Sequence, residues 1–100
     1  MALSKQTTEF IDNLIDYYIS ESESYVDIAK DYVPEVDSVY DTAFGIIVGC
    51  VYSAFLQTYL NQHKTASNED IMEFNSIMKK RAPLIKKSII ENKQKASLKN

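Results

Sequence analysis

The sequence predicts an all-α fold, a single-domain helical bundle of about four helices spanning residues 1–100, and three observations carry that expectation. Only two glycines and two prolines occur in 100 residues, whereas an all-β domain needs a turn signal every ~8 to 12 residues. Apolar residues recur at three- and four-residue steps along most of the chain, which is the period of a helix with one buried face. With 45% hydrophobic and 25% charged residues, the composition is that of a chain able to form a core, and 11.4 kDa is one ordinary domain.

The first helix is expected from Thr8, where Phe10, Ile11, Leu14, Ile15, Tyr18 and Ile19 share a face and Glu9, Asp12 and Asp16 lie opposite. The run Ser20-Glu-Ser-Glu-Ser24 has no apolar residue. A serine there could cap a second helix carrying Tyr25, Ile28, Ala29 and Tyr32, although Tyr18, Tyr25 and Tyr32, seven apart, would equally suit one unbroken helix. Pro34 ends this stretch, because the residue before a proline is pushed out of the helical region while proline itself suits a first helical turn.

The third segment, about 35–62, is expected to be a nearly fully apolar central helix. No acid, lysine or arginine occurs between Asp41 and Lys64, and a helix apolar on all sides is expected to be buried on most of them. Its apolar core is nearer ~14 residues than the ~20 that a bilayer requires, so no membrane span is expected. Both glycines, Gly45 and Gly49, fall inside it, each costing ~1 kcal/mol relative to alanine. With Ser53 they form a helix-contact face of small residues that admits another backbone. A neighbouring helix of the same chain is the first expectation for that contact, and a homodimer seam the second.

After a short link at 63–67, Ser67-Asn-Glu-Asp70 gives a capping serine with a carboxylate three residues on, so the last helix is expected at about 68–94, antiparallel to the third. Its stripe of Ile71, Phe74, Met78, Ala82, Ile85 and Ile89 passes Pro83 without losing phase, which predicts a kink rather than an end. The polar residues 92–100 are expected to fray.

Charge is unevenly spread, with ten acids against two lysines in residues 1–50 and nine bases against four acids in 51–100. Lys79, Lys80, Lys86, Lys87 and Lys93 form a stripe that could bind anions such as a phosphate backbone. A solvated face is the plainer expectation, and a pI near 5.0 argues against a dedicated nucleic-acid binder.

Candidate chemistry is sparse. The carboxylate rows Asp12/Asp16, Asp27/Asp31/Glu35 and Asp37/Asp41 lack the Glu-x-x-His pairs of dimetal bundles, His63 stands next to Lys64 without a partner acid, and Cys50 is expected to be buried and inert. No catalytic residue, metal site or cofactor is expected. The lone cysteine and the absence of a signal-like N-terminus lead to a cytoplasmic expectation. Size, helix count and the lysine-rich end resemble small immunity and antitoxin bundles in general outline, which implies a binding protein. The leading expectation is a non-enzymatic protein–protein interaction module, a homodimer in which an antiparallel pair sets the acidic half of one copy over the basic helix of the other. A nucleic-acid-associated protein using the lysine stripe stands second.

Overall fold

The computed structural model describes the backbone of residues 3–98 and the side chains of 3–91. It contains α1 (Lys5–Ser20), α2 (Ser22–Lys30), α3 (Val39–Asn61) and α4 (Asn68–Leu98), and no strand among the described residues. The all-α bundle expected from the sequence is what the chain forms. Because α1 and α2 meet end to end across Glu21 alone, they act as one broken rod, and the molecule is a bundle of three rods.

Cross-contacts fix the directions. Phe55 stacks on Phe74 at 4.8 Å between ring centres, and Lys86 Nζ lies 5.5 Å from the centre of the Phe44 ring, so α3 and α4 run antiparallel. Arg81 of α4 reaches Asp12 and Asp16 of α1 while the Leu3 amide donates to Glu73, so α1 and α4 run parallel. Between the rods lie Ile11 and Ile15 of α1, Val26 and Ala29 of α2, Ala43, Ile47, Val51 and Phe55 of α3, and Phe74, Met78, Ile85 and Ile89 of α4. Each set follows helical spacing, and removing these groups from water drives the assembly.

The ends of the elements have local causes. Ser4 Oγ accepts from the Thr7 amide at 3.1 Å and starts α1 earlier than the apolar stripe suggests. The break at 20–24 exists, but Glu21 occupies the capping position without a side-chain bond, and Ser22 is fully buried as the first residue of α2. The inward face of α2 is Ser22, Val26 and Ala29, leaving Ile28 and Tyr32 exposed. That corrects the expected Tyr25–Ile28–Ala29–Tyr32 stripe.

Pro34 does not open α3. It follows a cis peptide bond in the turn at 31–35, and the helix begins at Val39, where Ser38 Oγ accepts from the Asp41 amide at 3.1 Å. At the start of α4 the expected capping pair is reciprocal: the Asp70 amide donates to Ser67 Oγ and the Ser67 amide to Asp70 Oδ2, both at 3.1 Å. Pro83 lies inside α4 with an exposed ring, and the helix runs on to Leu98. The rest of the expected tail, residues 99–100, lies outside the described residues.

Candidate interaction face

Each rod turns a different surface outward. The first rod shows carboxylates, with Glu9, Asp16, Glu23, Asp27 and Asp31 exposed. On α4, Lys79, Lys80, Lys86 and Lys87 are exposed. The α3 surface is uncharged from Thr42 to Gln62, although much of it faces solvent.

Only Ala43, Ile47, Val51 and Phe55 of α3 are buried. At 100° per residue these four centre on one side of the helix, and Gly49 falls opposite them. Gly45, Gly49 and Ser53 are accordingly exposed. A Cβ added to Gly45 or to Gly49 would meet nothing within 4 Å. The small-residue row is therefore real but looks away from the protein's own helices, which overturns the expected close contact within the chain. It also overturns the expectation that α3 is buried on most sides. Although a helix hydrophobic all round is ordinarily buried, here one side is covered and the other is left bare. By length and composition α3 is also a helix that could cross a membrane.

The two edges of this surface differ. Toward α4 the edge is basic, because Lys86 lies against Phe44 and Lys79 is one heptad earlier on the same side of α4. Toward the first rod the edge is aromatic. Tyr18 and Tyr25, 5.4 Å apart between ring centres, stand beside half-buried Cys50 of α3, and Tyr17 packs edge-on against Tyr18. Burial, then the neighbouring Cys50 and Tyr17, pushes the Tyr18 phenol above its ordinary value. Cys50 is thus not enclosed in the core as expected. Phe10 and Tyr17, one heptad apart on α1, are 38% and 56% exposed.

The other candidates are placed as follows. Lys79, Lys80, Lys86 and Lys87 form the expected stripe on α4, with Lys87 4.0 Å from Glu91 and Lys86 held against Phe44. Lys93 lies outside the described side chains. Asp12 and Asp16 converge on Arg81, at 3.3 Å from its Nη1 and by a short contact to its Nη2 respectively. They hold a guanidinium that sequence reasoning had not singled out. Among the described residues no three His, Cys, Asp or Glu side chains gather. His63 closes α3 with a left-handed φ of 57° and an exposed ring.

A cleft of about 710 Å³ opens where Leu3, Phe10, Thr58, Tyr59, Lys64 and Asp70 meet. Burial first, then the hydrogen bond it makes to Asp70, raises the Tyr59 phenol, while the Ser67 amide, and next to it the Tyr59 hydroxyl, hold the Asp70 carboxyl below its ordinary value. Both groups are engaged with each other and with the α4 cap.

No family model, curated protein or solved structure matches the chain.

Proposed function

We propose that the protein is a helical interaction module that pairs with a second copy of itself through the outward surface of α3. The observation that carries this reading is the uncharged Gly45–Gly49–Ser53 row facing solvent with open space over both glycines. Two glycines inside a helix cost it about 2 kcal/mol relative to alanine, and among the described residues no other helix occupies the room they leave. A second backbone approaching that row would make use of it. The half-buried Ile46 and Leu56 and the exposed Leu60 surround the small residues with apolar area that association would cover. A two-fold contact suits such a surface because each copy presents the same patch.

Substitution of Gly49 by leucine tests this. Since the position is open in the monomer, Gly49→Leu should keep the fold and gain about 1 kcal/mol of helix propensity, while holding the two backbones apart. Sedimentation should give twice the 11.4 kDa chain mass for the natural chain at micromolar concentration and the single mass for the variant. A natural chain that is monomeric throughout that range would overturn the reading. So would a Gly49→Leu chain that still pairs.

A further inference from the structure

The two helices of the first rod are not held equally. In its nine residues α2 buries Ser22, Val26 and Ala29, whereas α1 buries only Ile11 and Ile15 in sixteen. The joint between them is Glu21, which is exposed, has a ψ of 15° outside the helical range, and makes no side-chain cap. Each helix therefore has its own end there, and unwinding α1 removes no turn of α2. The other ties of α1 are few. Leu3, just ahead of it, is buried with its amide donated to Glu73, and Asp12 and Asp16 engage Arg81. Those two carboxylates are 46% and 66% exposed, so water competes for them and each bond holds the helix weakly. Tyr18 packs on Tyr25 across the joint, both rings half-buried.

Contacts at both ends of α1 show what it covers. Along α3 it runs from Phe10, beside Thr58 and Tyr59, to Tyr18, beside Cys50. Along α4 it runs from Leu3 at Glu73 to Asp16 at Arg81. Between those limits the inward side chains are Val51 and Phe55 of α3 and Phe74 and Met78 of α4. From Cys50 to the start of α3 the cover is α2 instead, with Tyr25 beside Cys50.

We infer that α1 is a lid, which opens about Glu21 as one unit while α2, α3 and α4 stay folded, and uncovers a trough of Val51, Phe55, Phe74 and Met78. The remainder has its own reasons to stay together. Phe55 stacks on Phe74 at 4.8 Å without any part of α1, and Val26 and Ala29 of α2 stay enclosed with Ala43, Ile47, Ile85 and Ile89. A segment that encloses few side chains opens at lower free energy than the whole chain unfolds. An apolar trough between two helices accepts the apolar face of a third, and in the closed protein that third helix is α1. The lid covers the inward side of α3, so it does not depend on the self-pairing proposed for the outward side.

Hydrogen exchange of the full chain, followed residue by residue by NMR at a pH where closing outpaces exchange, tests the lid. After correction for intrinsic rates, amides of residues 11–18 should exchange at least about tenfold faster than those of 26–29 and 47–55. Two substitutions then separate the lid from the rest. Arg81→Gln removes a tie that only the closed form makes, so the 11–18 amides should exchange about fivefold faster. Ser38→Ala removes the cap of α3, about 18 Å along the helix from Cys50, where the reach of α1 ends. It should speed the slowest amides of the chain about fivefold and leave residues 11–18 unchanged. If Ser38→Ala speeds residues 11–18 as much as the rest, α1 opens only when everything unfolds and the lid is overturned. Equal protection of α1 and α3, exchange of α1 and α2 as a single group, or no response of residues 11–18 to Arg81→Gln would each overturn it as well.

Discussion

His63 carries the chain out of α3 by taking a left-handed φ of 57°. That turn lets the Lys64 amide reach the Tyr59 carbonyl at 2.9 Å, while the His63 amide donates to Leu60 at 3.0 Å, so carbonyls left over at the helix end are satisfied. The conformation costs a residue with a Cβ about 1–2 kcal/mol. Glycine would avoid that cost but lose about 0.4–1 kcal/mol to its freer unfolded chain. The first effect is larger, so His63→Gly should stabilise the protein by about 0.5–1 kcal/mol. A lower urea midpoint for the variant would contradict the strain reading. The sequence places the 63–67 link correctly, yet with histidine where glycine or asparagine usually stands it hides the turn that makes it. The actual glycines mislead in the opposite sense. They suggest intrachain contact because the residue type reports close approach without saying whose backbone approaches.

At the scale of an element, what can be read in advance is periodicity and capping chemistry, and what cannot is orientation. The Ser67/Asp70 pair at the start of α4 is legible because a capping box is local in sequence. Ser38 with Asp41 repeats the same spacing and was equally available, but the proline four residues earlier offered a competing helix start. The stripe of α4 identifies its buried Phe74, Met78, Ile85 and Ile89, whereas α3, apolar on every side, gives no stripe to say which face turns inward. The α4 cap also predicts a pH dependence. The Ser67 amide first, and the Tyr59 hydroxyl after it, hold Asp70 below its ordinary value of 3.8, so the unfolded chain binds the proton more readily than the folded one. The stabilisation from this group is therefore complete above the ordinary value and is lost as pH falls through the lower, folded one. Between about pH 5 and about pH 2 the natural chain should lose more stability than Asp70→Asn. Parallel stability curves for the two proteins would remove Asp70 as the cause.

Across the whole molecule, the sequence shows two halves of opposite charge but not how they are reconciled. The parallel packing of α1 and α4 resolves part of it internally, because Arg81, whose side chain is only 21% exposed, lies between Asp12 and Asp16. Lys79, Lys80, Lys86 and Lys87 remain at the surface, and α3 separates the basic rod from the acidic one on the side where both are visible. No single charge count could have distinguished an internal bridge from an external partner, since that depends on which rods are neighbours. The bridge has a measurable consequence. Exposed ion pairs are worth about 0.2–1 kcal/mol each, and two carboxylates four residues apart on one helix repel by about 0.2–0.5 kcal/mol when nothing stands between them. Arg81→Gln should therefore destabilise the chain by about 1 kcal/mol in low salt. Raising the salt to about 1 M shortens the screening length to about 3 Å, weakening both the lost attraction and the exposed repulsion, so the gap between variant and natural chain should narrow. Urea unfolding at the two salt concentrations measures it. A gap that is unchanged by salt would mean that the Arg81 side chain contributes through packing of its stem against the rods rather than through its charge.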